Sequence, residues 1–541
     1  MGSPAEQVPA DGSRRGFLRG VGAATAAVAL GGLAACGDGF DGDDGGGDDG
    51  GRNRAANLSP AEAMAVRNPL PIPPLITDEG DGIALVAAAS TTEFFAGSPT
   101  ETWGFNGAFL GPTIRVREGQ SVPITVTNEL DEVITSHWHG LHIPGDIDGG
   151  PYNLIAPGET WELTMDIAQQ ASTSWYHSHV HEATGRQVYL GLAGVFLIDD
   201  DGSDALDLPS DYGVDDIPVI LQDRTFLADG TFNTDLSGRD LVYLGETMLV
   251  NGAVNPVVEL APKRNRLRFV NGSNGRRYDL FLSDGAPLTK IATDGGLLNA
   301  PVVVDSVPVA PGERAEVIVD LTGYGDGDEL TLVSRNLERT GLMADEYTVL
   351  TIRVTGDEDD NPVLPEVLND VPTAAALLAS VDVAAERTFT LRQNSQINGE
   401  VFDHTFLNHV SELGTWEVWT VNGGLHPFHI HGCSYLVLSE NGEEPAPEDA
   451  GWRDTAMVGR DDQLRLLVQF NHEAAPETAF MYHCHFMGHE DAGMMGQFAV
   501  AVDPDEIDLA APIPDPPLLA RIKATGGEAS PFFCDVPGYT L

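Results

Sequence analysis

The chain has 541 residues, and 29 Lys+Arg stand against 82 Asp+Glu, for a formal net charge of −53 at neutral pH. A field of that sign excludes a nucleic-acid binder, because no basic patch survives in it. It fits a protein whose self-repulsion is screened by salt, and by itself it favours cationic or neutral small molecules over anionic ones.

The amino-terminal segment reads Ser13-Arg14-Arg15-Gly16-Phe17-Leu18-Arg19, followed by an apolar run over 21–35. Paired arginines before a short run rich in Ala and Gly predict a twin-arginine export signal rather than a membrane-spanning helix. Leu33-Ala34-Ala35-Cys36 has the form of a lipoprotein cleavage box. Residues 1–36 are therefore read as a leader, with Cys36 lipidated to tether an exported, periplasmic or cell-surface protein to a membrane. Residues 37–51 are Gly and Asp with almost nothing apolar to bury, so 37–67 is expected to be an acidic linker. The Pro-rich stretch Asn68-Pro69-Leu70-Pro71-Ile72-Pro73-Pro74 marks the start of the folded part.

Beyond it, short apolar or alternating runs dominate, among them 113–117, 122–126, 267–270 and 349–354. Gly, Pro, Asn and Asp separate them and long amphipathic patterns are scarce, which predicts an all-β architecture of sandwiches. The length suits three domains of ordinary size, read as 68–200, 201–360 and 361–503 with a tail at 504–541. The strand endings Val126-Thr127-Asn128, Val270-Asn271-Gly272 and Val421-Asn422-Gly423 recur, their asparagines 143 and 151 residues apart.

Four histidine clusters hold ten of the fifteen histidines. They are His137-Trp138-His139-Gly140, His177-Ser178-His179, His426-Pro427-Phe428-His429-Ile430-His431-Gly432, and the run from His483-Cys484-His485 through His489-Glu490 to Met494. Ordinary polar surface would scatter these residues. On a strand, His-x-His puts both rings on one face, so His483 and His485 face one way and Cys484 the other. Thiolate, imidazole and a distant thioether are the donor set of a blue-copper electron-transfer site, and Cys484, His489 and Met494 supply them from one loop. His483 and His485 then need a second metal centre on the far face. One segment would wire the two sites together over a path on the order of 10–15 Å. Of the other histidines, His142 and His181 are read as supporting or surface groups, and His404 and His409 as lining a substrate rim.

The motifs HWHG, WYHSH, HPFHIHG and HCHFMGHEDAGMM, in this order, resemble the multicopper oxidases, the family of laccases, bilirubin oxidases and bacterial cuprous oxidases, over about 68–503. The resemblance implies three consecutive cupredoxin-like Greek-key β-sandwich domains, with a trinuclear copper cluster between the first and third and a copper-free middle domain as spacer. It implies four copper ions. His426, Cys484, His489 and Met494 would hold the type 1 copper, with Met495 a competitor for the axial place. His137 and His429 would hold the type 2 copper, and His139, His177, His179, His431, His483 and His485 the type 3 pair. Cys484 would carry electrons to the cluster. Reduction of oxygen to water needs four protons at a buried site, and Asp148 and Glu490 match positions thought to feed them in the cuprous-oxidase branch. In an exported protein Cys433 and Cys534 would form a disulfide pinning the tail to the third domain.

The cuprous-oxidase branch carries a methionine-rich insertion over the type 1 site, but residues 388–422 contain no methionine. Where that branch has an Asp and a Met before the first type 1 histidine, this chain has Asn422 and Gly424. Thioether sulfur is what selects Cu(I), so the expectation is an open rim near His426 and His489 and a laccase-like oxidation of phenols or aromatic amines, with a copper-tolerance metal oxidase as the alternative. The expected partners are O2 and a small reducing substrate, met by a monomer. A copper nitrite reductase is shorter and lacks the paired type 3 histidines, and a metal-free cell-division protein of this fold would have lost the ligands; a copper store is separated only by turnover. Cys484→Ser is expected to abolish blue colour and oxidation of organic reductants with the fold intact; retained activity in the variant would sink the type 1 assignment.

Overall fold

The computed structural model describes residues 59–337, 345–357, 361–516, 518 and 520. The expected leader, Cys36, the acidic segment 37–51 and Cys534 lie outside the described residues. Among the described residues no helix is long and apolar enough to cross a membrane.

Alternation builds the strands. In Ser121–Asn128 the apolar Val122, Ile124 and Val126 turn inward with at most 1% exposure, and their neighbours face outward. Asp216–Arg224 is buried at every position: one face meets its own core, and Ile220 on the other meets Trp175 and Val195 of the preceding sandwich.

Six sheets pair into three sandwiches, as the sequence led us to expect. In the first, the strands Ser98–Phe105, Ile83–Phe95, Ser121–Asn128 and Thr160–Asp166 face a five-stranded sheet that ends in Ser172–His177 and His137–His139. Six- and seven-stranded sheets make the middle sandwich around Leu267, Phe269, Leu280 and Leu332. Two five-stranded sheets make the third around Trp419, Phe428, Tyr482 and Phe498.

The chain joins this body earlier than the linker reading supposed. Ala63 is buried against Phe94 and Tyr189, and Asn68–Pro69 pairs in parallel with Pro256 and Val257 in the middle sandwich before the first sandwich begins. The recurrent asparagine has a physical role. The buried Asn128 donates to the carbonyls of Glu132 and Ile155 and accepts from the Leu130 N–H. Asn271 does the same with Arg276, Val309 and Ser273. Asn422, half-buried, differs: it makes a long contact to the Phe389 carbonyl at 3.4 Å and accepts from Gln463 Nε2 at 2.9 Å.

A buried ionic seam joins the first two sandwiches. Arg268 donates to both oxygens of Asp216 at 2.6 and 2.9 Å and to Thr173 Oγ1 at 2.9 Å. Thr173, from the first sandwich, donates to Glu316 Oε1 at 2.7 Å, and Arg266 Nε donates to Glu316 Oε2 at 2.7 Å. Burial alone would raise the Glu316 carboxyl, but the two guanidiniums outweigh it and bring it down to about 2. A pKa depressed in the folded state stabilises above the unfolded value and is lost as pH falls through the folded one. We expect roughly 3 kcal/mol of stability to disappear as pH falls from about 4.5 towards 2, and Glu316→Gln to flatten that acid limb in urea titrations. An unchanged limb in the variant would refute the assignment.

Candidate metal centre

Two strand pairings set the site. His137–His139 lies against Ser172–His177 with His137 opposite His177. His426–Ile430 lies against Phe480–Cys484 with His429 opposite His483 and Phe428 opposite Cys484. A slip of one residue in either register would turn the rings to the wrong face.

Eight histidines from the first and third sandwiches, His137, His139, His177, His179, His429, His431, His483 and His485, converge with at most 1% exposure each. His137 stacks on His431 with ring centroids 3.9 Å apart, and His139 on His429 at 3.7 Å. His483 Nε2 lies 3.2 Å from Nε2 of both His179 and His431. Outward hydrogen bonds orient the rings. The Nδ1–H groups of His137, His177, His429 and His483 donate to the carbonyls of Asp148, Ser178, Asp454 and Cys484 at 2.9–3.1 Å. His139 is reversed, donating from Nε2 to Asp454 Oδ1 at 3.0 Å.

The inward nitrogens are left with lone pairs. His137 Nε2, His139 Nδ1, His177 Nε2, His429 Nε2 and both nitrogens of His485 are buried without a hydrogen-bond partner. Each such atom costs about 1–3 kcal/mol unless something coordinates it. Burial, aided by neighbouring histidines, drives the pKa of His177, His179, His431, His483 and His485 well below 6.5, so these rings are neutral at neutral pH. Neutral imidazoles with converging lone pairs are what a borderline transition metal binds, and triads such as His179, His431 and His483 bring ligand atoms within 4.8 Å of one another. The residues fit copper.

On the other face of the last strand, Cys484 Sγ lies 3.4 Å from His426 Nδ1 and 3.5 Å from His489 Nδ1. The short helix Met487–Asp491 folds His489 back onto the thiol, and the Phe486 N–H points at Sγ at 3.4 Å. Met494 N–H donates to the His489 carbonyl and its own carbonyl accepts from Cys484 N–H. Met494 is fully buried in the cluster that contains Cys484, whereas Met495 belongs to the following strand opposite His483.

The two candidate carboxylates flank the eight histidines. Asp148, 2% exposed, accepts from His431 Nδ1 on Oδ2 at 2.8 Å. Glu490 is fully buried, with Oε1 3.4 Å from His179 Nδ1 and Oε2 3.4 Å from His483 Nδ1. Burial, reinforced by Asp491, pushes its carboxyl well above 4.5.

Three expectations need correction. The rim is covered rather than open: His426 and His489 are 3% and 2% exposed, and His489 Nε2 donates at 2.8 Å to the Asp240 carbonyl. Asp240 and Leu241 sit at a turn tip with φ of 57° and 61°, and the Leu241 carbonyl presses so close to Gly488 that a Cβ there would meet it at 2.1 Å. His409 is no rim residue, since it stacks on Phe498 at 5.0 Å within the third core; His404 lies 3.3 Å from Asp515. The middle sandwich supplies none of the clustered ligands among the described residues, yet it is more than a spacer, because Arg314 reaches Asp454 behind His139. Sequence reasoning missed both residues. They are 140 positions apart, and no local spacing marks either. Cys433 is buried in the third core and in no disulfide among the described residues, its expected partner Cys534 lying outside them.

A ligand that binds only the folded state raises its stability. Copper loading should therefore raise the melting temperature of the chelator-treated protein by several degrees, and an unchanged melt with copper in excess would argue against a metal centre.

Three family models, each described as multicopper oxidase, match residues 86–203, 224–356 and 371–504. Cell division protein FtsP of Salmonella typhimurium is 37% identical over 457 residues, covering 81% of this chain and 94% of that protein. A laccase-like multi-copper oxidase, CueO, from the lignin-degrading bacterium Ochrobactrum sp., with oxidase activity towards lignin model compounds and lignosulfonate, is 36% identical with a TM-score of 0.73, covering 80% of this chain and 100% of that one. A multi-copper oxidase from Pediococcus acidilactici is 34% identical with a TM-score of 0.75, covering 86% and 97%. With three matched domains in sequence and full-length relatives at this identity, the chain belongs to the multicopper oxidase family.

Proposed function

We propose that the protein is a laccase-like oxidase that removes electrons singly from a phenol or aromatic amine and uses four of them to reduce O2 to water. The observation that carries the reading is the complete donor set: ten histidines, Cys484 and Met494 gathered into two buried groups that meet at one strand. In this reading His426, Cys484, His489 and Met494 hold a type 1 copper, His137 and His429 a type 2, and His139, His177, His179, His431, His483 and His485 a type 3 pair. Four bound coppers would supply one-electron redox at the cysteine site and oxygen binding and reduction at the eight-histidine site.

The chain's own residues do the rest. Cys484 is bonded in sequence to His483 and His485, and its carbonyl accepts from His483 Nδ1 at 3.1 Å, so a through-bond route and a hydrogen-bonded route run side by side. His489 meets the outside through the Asp240 carbonyl, which makes that turn the place where a donor approaches. Glu490, held towards its protonated form by burial, lies where it can pass a proton beside His179 and His483. Asp148 does so beside His431.

The covered His426 and His489 favour a second reading with a compact donor such as Cu(I), although the missing methionines speak against a thioether dock for it. The FtsP relatives raise a third, a cell-division role, in which turnover would be absent. Oxygen uptake by the copper-loaded protein separates all three. A bulky phenol that outpaces Cu(I) supports the laccase-like reading, the reverse order supports the metal oxidase, and no uptake with either donor defeats both. Glu490→Gln should lower oxygen reduction by about 10²-fold without loss of blue colour, and an unaltered rate would remove Glu490 from the proton path.

A further inference from the structure

We propose that the middle sandwich takes part in holding the metal cluster, through a positioning pair formed by Arg314 and Asp454 that fixes the rings of His139 and His429; the proposal rests on the copper-oxidase reading above. Arg314, on the strand Arg314–Asp320, has no exposed side-chain surface. All five of its N–H donors find acceptors, drawn from all three sandwiches. Nε donates to the Thr173 carbonyl at 2.9 Å. Nη1 donates to the Gly312 carbonyl at 3.0 Å and to Asp454 Oδ1 at 2.6 Å. Nη2 donates to the Asp294 carbonyl at 3.3 Å and to Asp454 Oδ2. The fork pins the Asp454 carboxylate in one orientation, as a bidentate guanidinium does.

Asp454 is therefore an acceptor only, and it faces two rings. Its Oδ1 accepts a hydrogen bond from His139 Nε2–H at 3.0 Å and its main-chain carbonyl accepts one from His429 Nδ1–H at 2.9 Å. Thr455 Oγ1 sits within 3.1 and 3.2 Å of the same two nitrogens. These bonds select opposite tautomers, leaving the lone pair of His139 on Nδ1 and that of His429 on Nε2. Both point into the cluster without a partner. A ring in the wrong tautomer would present N–H there and could not ligate.

Close backbone approaches support the arrangement. A Cβ on Gly140, the last residue of the HWHG motif, would meet Arg314 Nη2 at 2.5 Å and Asp454 Oδ2 at 2.7 Å. A Cβ on Gly312 would meet His485 Cδ2 at 2.6 Å. Segment 312–314 of the middle sandwich thus lies directly behind the histidines.

The test compares the copper-loaded wild type with Arg314→Met/Asp454→Leu and with Arg314→Lys. The double variant leaves no lone buried charge, so its fold should stand; near-UV circular dichroism and the melt of the copper-free protein check this. We expect it to keep the blue absorbance of the Cys484 site, to lose at least half of the remaining copper, and to lose the type 2 electron paramagnetic resonance signal. Arg314→Lys keeps the charge but not the fork, and should bind copper with a shifted type 2 signal. A folded double variant with wild-type copper content and an unchanged type 2 signal would overturn the proposal. Should the double variant fail to fold, a wild-type spectrum in Arg314→Lys overturns it and a shifted one upholds it. A wild type that never turns blue defeats the copper reading instead.

Discussion

Everything in this molecule is arranged around one expensive feature: eight imidazoles buried together with ring nitrogens aimed at a shared centre. No sandwich could gather them alone, because His137, His139, His177 and His179 belong to the first and His429, His431, His483 and His485 to the third. Packing between domains must therefore be fixed to a fraction of an ångström for the ligand atoms to meet. Hydrophobic contact is too undirected for that. Directed bonds supply it, among them the outward hydrogen bonds of His137, His139, His177, His429, His431 and His483 and the buried ion pairs at Glu316 and Asp454.

Those ion pairs bear on the charge of the whole chain. Basic residues are scarce, yet Arg224, Arg266, Arg268, Arg276 and Arg314 are all buried. Four of them face a carboxylate at hydrogen-bond distance, while Arg224 lies against the rings of Tyr189 and Phe232. Each of those four pairs is neutral as a unit, so the formal charge of −53 is carried by the remaining residues. Such a charge keeps molecules apart in solution.

The last ligand strand shows how local geometry becomes function. Alternation along Phe480–Cys484 sends Cys484 towards His426 and His489 and sends His483 towards the eight-ring site. A single β-strand thereby connects two sites with different donor chemistry. The helix that follows is barely long enough to be one, and its purpose is to bring His489 back to the thiol.

Much of this was legible in the sequence, because the relevant physics is short-range. Alternating apolar residues produce strands wherever they fall, so an all-β sandwich architecture could be read from periodicity and turn residues, three domains from length and the family resemblance, and the asparagine repeat proved to cap two equivalent strand ends. His-x-His places two rings on one face whatever surrounds it, so the ligand clusters announced themselves. Tertiary structure decided what depends on residues far apart in the chain. The cover over His489 comes from a middle-domain turn, which the missing methionines near 388–422 could not reveal. His409 turned inward because its strand pairs beside Phe498. Arg314 and Asp454 carry no local pattern, for an ion pair between domains is specified only by where two folded surfaces meet. Local backbone and side-chain preferences are written in neighbouring residues, whereas the acceptor behind a ligand, and the carbonyl above one, exist only once the sandwiches have docked.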